Sequence, residues 1–150
     1  MNIREIDVSR DSFMNLLLLA DPSERSVRKY LEQGYLFALF DGDQAYGVLH
    51  LEPQDEGQVE IKNVAVAEHM QGRGYGMLLL HHAIHFCRLR GYKKMTVGTG
   101  NSSVGNLYFY QKAGFRLVSL VRDFFVLHYD EPIFEHGLQC RDLLILEMSL

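Results

Sequence analysis

Hydrophobic positions along this chain follow two periods, and the places where one gives way to the other mark out its elements. Short runs that alternate, or are apolar throughout, read as strands: "NIREID" (2–7), "YLFALF" (35–40), "AYGVLHL" (45–51), "VEIKNVAV" (59–66) and "KKMTVGT" (93–99). Two more follow, "FRLVSLVRDFFVL" (115–127) and "CRDLLILEMSL" (140–150). "SFMNLLLLA" is helical by composition. A second helix is opened by Asp21-Pro22, places Val27, Tyr30 and Leu31 at i, i+3 and i+4, and stops at Gly34. The longest helix is expected from about Tyr75 to Arg90, with Met77, Leu80, Ile84 and Cys87 as its apolar stripe, widened by Leu79, Ala83 and Phe86. "SSVGNLYFYQKA" is a shorter helix ended by Gly114, and "HYDEPIFEHGLQ" reads as a loop.

The turn signals "DGDQ" and "PQDEGQ" join the early strands into an antiparallel meander. The predicted order is β-α-α-β-β-β-α-β-α-β-β, with a right-handed strand-helix-strand crossover in the middle. It favours an α+β fold, a mixed central sheet with helices on both faces. No repeat, low-complexity tract or linker divides the chain, so residues 1–150 are expected to form a single domain.

Composition narrows the possible functions. A net charge of -4 gives no electrostatic case for nucleic acid. The longest apolar runs, 16–20 and 36–40, are far too short to span a bilayer, and the N-terminus lacks a signal pattern. Cys87 and Cys140 stand far apart and read as free thiols, which suits a cytoplasmic protein. His81 and His85 have the i, i+4 spacing of a zinc pair, but no glutamate follows the first histidine and no third ligand is evident; they read as a solvated helix face, with no metal.

The chemistry concentrates in QGRGYG, residues 71–76, between a strand and a helix. The first amides of a helix lack intrahelical partners and carry partial positive charge, and glycines let a bulky anion come close to them. Such a turn suits phosphate or pyrophosphate. It is not a P-loop, because Met77 follows Gly76, and its G-x-G-x-G spacing is not the dinucleotide fingerprint.

Gln71-x-x-Gly74-x-Gly76 after a strand, with "IKNVAV" upstream and Tyr110-x-Lys112-x-Gly114-Phe115 downstream, resembles the GNAT family of N-acetyltransferases. The resemblance covers essentially the whole chain, and the tail "RDFF…HYDEPIFEHGLQCRD" is similar to a bacterial subgroup of that family. It implies a GNAT-type fold and acetyl-CoA as co-substrate. It further implies that Gln71, Gly72, Arg73, Gly74, Tyr75, Gly76 and Met77 surround the pyrophosphate, and that the pantetheine arm pairs with the backbone of Val64, Ala65 and Val66 like an added strand. Arg73 is the side-chain partner for phosphate. In the family an asparagine often bonds the pantetheine. The usual spacing, seven before the tyrosine, falls here on Ser103; Asn101 stands nine before and is the candidate, with helix capping as its alternative.

Acetyl transfer from a thioester needs a neutral amine, a donor for the oxyanion and a proton for the leaving thiolate. The resemblance points to the Val64 amide as the donor and to Tyr110 as the acid. Glu60 lies eleven positions before Gln71, a spacing similar to that of a glutamate base in the histone-acetylating branch. Strand alternation without a bulge would put Glu60, Lys62, Val64 and Val66 on one face. Glu60 is thus either the base, direct or through water, or one half of a surface pair with Lys62.

The acceptor is expected to be a small cationic amine. Asp130, Glu131 and Glu135 crowd a segment flanked by Phe124, Phe125, Tyr129 and Phe134, a setting that would attract and stack on a cation. A protein or peptide amine, or a sensor that binds acetyl-CoA without turnover, are the other readings. A homodimer is possible, and neither a nucleic-acid nor a membrane partner is expected.

Overall fold

The computed structural model describes all 150 residues. The chain divides into two compact units, Met1–Lys93 with Leu150, and Lys94–Ser149. The first contains β1 (Asn2–Glu5), α1 (Met14–Ala20), α2 (Glu24–Tyr30), β2 (Tyr35–Asp41), β3 (Gln44–Pro53), β4 (Gln58–Val66) and α3 (Tyr75–Leu89). Its strands run antiparallel in the order β1-β2-β3-β4, the meander that the turn signals predict.

Residues opposite each other in the ladder share a face, so the register sorts the core. Leu36, Ala38, Val48 and Ala65 pack with Met14, Leu17, Val27, Tyr30 and Leu31, and so face α1 and α2. Phe37 points the other way, its ring 4.9 Å from those of His82 and Phe86 on α3. The expected helices on both faces are therefore present in this unit. On α3 the buried residues are Leu79, Leu80, Ala83, Ile84 and Cys87, while His81 and His85 are exposed and no group of potential ligands collects around them. A fully buried leucine contributes about 1.5–3 kcal/mol, so this stripe alone seats the helix. The cap of α2 is Ser23, whose hydroxyl accepts from Ser26 N–H at 3.1 Å; Asp21 instead accepts from Ser23 N–H.

The second unit contains β5 (Lys94–Gly100), α4 (Val104–Ala113), β6 (Arg116–Val121), α5 (Phe124–His128), β7 (Ile133–Glu135), β8 (Leu138–Cys140) and β9 (Leu143–Ser149). β9 pairs antiparallel with both β5 and β6. The expected strand over 115–127 breaks in two. Asp123 adopts φ 57, and its N–H donates to Asp142 Oδ1 at 2.9 Å, which turns the chain into α5. The expected loop contains a hairpin, β7 paired with β8. His136 and Gly137 both have positive φ, as a two-residue hairpin turn demands. No helix is long and apolar enough to cross a membrane.

Candidate functional site

The glycine turn is built as an open cradle. Gln71 Nε2 donates to the Val66 carbonyl at 2.9 Å, tying the turn to the end of β4. Gly72 has φ 77 and Gly74 has φ 86, conformations that L side chains avoid. An added Cβ at either would meet nothing within 4 Å, so packing does not require glycine there. Gly74 is the N-cap of α3 and brings no side chain to the helix end. The first helical bond runs from Leu78 N–H to the Gly74 carbonyl at 3.0 Å, which leaves the amides of Tyr75, Gly76 and Met77 without intrahelical acceptors. Arg73 is exposed in the middle of the turn and makes no ion pair. Bare amides, a helix N-terminus and a free guanidinium fit a pyrophosphate.

β4 carries the adjoining candidates, and a bulge divides them. His50 pairs with Asn63 but Leu51 pairs with Ile61, so Lys62 is the extra residue. Val64 and Val66 lie opposite Leu49 and Gly47 on the α3 face, whereas Glu60 lies opposite Glu52 on the α1–α2 face. The unbroken alternation expected for Glu60, Lys62, Val64 and Val66 is thereby corrected: the inserted residue reverses the phase. Lys62 reaches toward the same side as Glu60, with Nζ 5.8 Å from the Tyr30 ring and 3.6 Å from Glu60 Oε1. Gln54 Nε2 donates to that same oxygen at 3.3 Å. Ala65 is buried, while Val64 and Val66 are half-buried. Gly47 is closely packed here, since a Cβ would stand 3.0 Å from Leu79 Cδ1 and 3.3 Å from the Ala65 carbonyl.

Beside the bulge is a polar cluster that the sequence reading missed. Asn63 is 4% exposed; its Nδ2 donates to the Leu17 carbonyl at 2.9 Å and to the Tyr30 hydroxyl at 3.0 Å. His50 is fully buried, with Nε2 2.7 Å from the Gln33 carbonyl. Arg10, also buried, donates to the carbonyls of Ile6, Leu31, Gln33 and Gly34, all at 2.9 Å. The available signal was a histidine within the apolar run VLHL of β3 and an asparagine beside VAV in β4.

In the second unit, Tyr110 is 6% exposed, and burial raises its phenol pKa well beyond the ordinary tyrosine range. The Y-x-K-x-G-F pattern has a local explanation. Gly114 ends α4 at φ 108, Phe115 N–H donates back to the Tyr110 carbonyl at 2.9 Å, and the Phe115 ring comes to 5.6 Å from that of Tyr110. Tyr108, two residues earlier, is exposed.

Asn101 serves the fold. Its Oδ1 accepts from the backbone N–H of Arg141 at 2.7 Å and of Asp142 at 3.0 Å, and its Nδ2 donates to the Gln139 carbonyl at 3.1 Å. The amide expected to hold pantetheine is thus committed to the β8–β9 connection. It does not cap α4 either, whose N-cap is Ser103 with no side-chain bond. Glu135 is committed too: its Oε1 accepts from the hydroxyls of Ser102 and Ser103 at 2.8 and 2.9 Å. Asp130 and Glu131 remain exposed and line a cavity of about 130 Å³ with Phe125, Tyr129, Gln139 and Cys140. Both cysteines are free and buried, and burial raises the Cys87 thiol to about 11, so Cys87 is not a poised nucleophile.

The chain is similar to known acetyltransferases in sequence and in fold. Residues 7–115 match the model of the Acetyltransferase (GNAT) family. An uncharacterised N-acetyltransferase of Bacillus subtilis (strain 168) is 42% identical over 155 residues, covering 100% of both chains. A crystal structure of a Bacillus subtilis acetyltransferase in complex with CoA is 43% identical, with a TM-score of 0.94 over 99% of this chain and 98% of that one. A GNAT family acetyltransferase from Elizabethkingia anophelis with acetyl-CoA bound is 42% identical, with a TM-score of 0.94 over 99% of this chain and 97% of that one.

Proposed function

Because the chain belongs to the GNAT family of acetyltransferases, with an α+β fold and acetyl-CoA as its co-substrate, we propose that it transfers acetyl to the primary amine of a small cationic molecule by direct attack. The observation that carries the choice of acceptor is the cavity of the second unit, where Asp130 and Glu131 stand beside the rings of Phe125 and Tyr129. At about 130 Å³ it has room for one ammonium-bearing end of a molecule. Paired carboxylates would attract that end, and aromatic faces would stabilise it.

In this reading the amides from Gly72 to Met77, with Arg73, hold the pyrophosphate. Gln71 holds the turn in place against β4, and the backbone of Val64, Ala65 and Val66 orients the pantetheine arm. Bound acetyl-CoA supplies an activated acyl group and a leaving thiol. The Val64 amide donates to the acyl oxygen as negative charge develops there. The Tyr110 hydroxyl, kept protonated by burial, gives its proton to the departing sulfur. Glu60, facing α1 and α2 with Lys62 beside it, takes the proton of the amine through water.

Both units belong to one catalytic domain in this proposal, since the family match, residues 7–115, crosses from the first unit into the second. The enzyme works in the cytoplasm, where acetyl-CoA is made, as a homodimer. A panel of polyamines, aminoglycoside-type amines, neutral amines and amino-terminal peptides, scored by release of free CoA, tests the acceptor. Turnover confined to polycationic amines is expected. Preference for peptides would overturn the acceptor assignment, and CoA binding with no turnover on any amine would indicate a sensor.

A further inference from the structure

The hairpin of β7 and β8 pairs with no other strand, and each of its strands is three residues long. A lone two-stranded hairpin is marginally stable in water. Phe134 and Leu138 are 63% and 51% exposed, so burial of these side chains does little to hold it. What seats it is the corner between β5 and α4, the run Gly100-Asn101-Ser102-Ser103. A Cβ on Gly100 would collide with Cys140 Sγ and stand 3.5 Å from Phe125 Cε2, so two walls of the cavity rest directly on the end of β5. Asn101 Nδ2 donates to the carbonyl of Gln139, another cavity residue. The hydroxyls of Ser102 and Ser103 both donate to Glu135 Oε1. Ser102 is fully buried, so its hydroxyl has no water to turn to if that acceptor is lost.

The same corner starts α4. Ser103 is the N-cap, and Tyr110 lies about 10 Å further along the same helix. Glu135 thus ties the segment that carries Asp130 and Glu131 to the helix that carries Tyr110. Asp130 and Glu131 keep their carboxylates exposed at the cavity, whereas Glu135 spends an oxygen on the two serines.

We propose that Glu135 is a positioning residue for acetyl transfer: by clamping Ser102 and Ser103 it fixes the cavity relative to Tyr110, and the acceptor is thereby selected by the spacing between two amino groups. The substrate class is a linear α,ω-diamine. One ammonium sits at Asp130 and Glu131, and the chain carries the other amine, the one acetylated, toward the Tyr110 hydroxyl. This rests on the reading of the cavity as the acceptor site. With the clamp intact one chain length fits; with it cut the segment shifts, and several lengths fit equally poorly. The loss falls on kcat, because a misplaced diamine still binds through its first ammonium.

Steady-state kinetics of the full chain on diamines of about three to eight methylenes test this. Wild type should show one optimal length, with kcat about tenfold above that of diamines two methylenes shorter or longer. Glu135→Ala should lower kcat at that length by about 10- to 100-fold and flatten the profile, with KM for acetyl-CoA unchanged. Glu135→Gln, whose amide oxygen still accepts from both hydroxyls, should restore the optimum to within about threefold of wild type. Ser102→Ala/Ser103→Ala leaves Glu135 charged but unclamped and should flatten the profile as Glu135→Ala does, which keeps the test open if Glu135→Ala does not fold. A wild type indifferent to length, an optimum that survives without the clamp, or an equal loss at every length would each overturn the proposal. So would a Glu135→Gln protein as impaired as Glu135→Ala, which would make the charge, not the clamp, the active feature. Asp130→Asn/Glu131→Gln with an unchanged diamine KM would instead sink the acceptor reading, and this inference with it.

Discussion

Tyr110 carries a hydroxyl in an almost closed setting, with the rings of Phe109 and Phe115 at 5.0 and 5.6 Å. Burial opposes ionisation, so the phenol keeps its proton at every working pH; that excludes it as a resting base and leaves its hydroxyl as a hydrogen-bond donor. Tyr110→Phe removes that proton and almost no volume. Steady-state kinetics should show kcat about 10²-fold lower with CoA affinity unchanged, and wild-type turnover would reduce Tyr110 to packing. Gly74 presents the reverse case, a residue whose value lies in a missing side chain. Its φ of 86 makes alanine strained by about 1 kcal/mol, yet the space around it is open. Gly74→Ala should therefore stay folded but bind CoA at least tenfold more weakly by calorimetry, about 1.4 kcal/mol or more. Unchanged affinity in the folded variant would remove the pyrophosphate from this turn.

Among the elements, β4 does most to separate functions. Its bulge at Lys62 turns Glu60 toward α1 and α2 while Val64 and Val66 stay on the α3 side. If Glu60 accepts the amine's proton through water, Glu60→Gln should lower kcat/KM by about 10- to 100-fold at pH 7. The loss should shrink toward the pKa of the acceptor, where the amine is already neutral; a pH-independent loss would point to lost positioning instead. The connection from α2 to β2 depends on another element-level knot, in which Arg10 and His50 both bond the Gln33 carbonyl. Desolvation holds the His50 pKa down at about 4, below its ordinary 6.5, with Arg10 and Lys62 adding repulsion. Between those values the unfolded chain gains a proton that the folded one refuses. Stability is thus unaffected above pH 6.5 and falls as pH drops toward 4, by about 3 kcal/mol in all. Urea titrations at pH 7 and 4.5 should show that His50→Gln loses about 2 kcal/mol less than wild type over this interval. Equal losses would place the acid sensitivity elsewhere.

For the whole molecule, charge is the property to follow. The chain carries -4 overall, yet it takes an anionic co-substrate, so in the proposed reading it is local amides and Arg73, rather than a long-range field, that hold the phosphates. A cationic acceptor is favoured by the same excess. Asp130→Asn/Glu131→Gln removes the two exposed carboxylates at the cavity of the second unit and spares Glu135, which holds Ser102 and Ser103. Acceptor KM should rise about tenfold at low salt and converge on wild type as screening over about 10 Å sets in at 0.1 M and above, with CoA affinity retained. A KM indifferent to both the substitution and the salt would remove the cavity from acceptor binding.

What the sequence by itself determined was local. Strand and helix periods, the uncapped glycine turn after β4 and the helix stop at Gly114 each depend on neighbours within a few residues, so "VAVAEHMQGRGYG" and "YQKAGF" could be read directly. Tertiary structure decided whatever depends on partners far along the chain. The Lys62 bulge is defined only against β3, so the face of Glu60 could not follow from alternation in β4. Asn101 is claimed by backbone amides forty residues away, and Glu135 by two serines more than thirty residues earlier. Asp142, also distant in sequence, receives the Asp123 amide where the expected long strand ends. In each case a local pattern left several partners open, and only the packed chain, which must satisfy its buried polar groups, selected one.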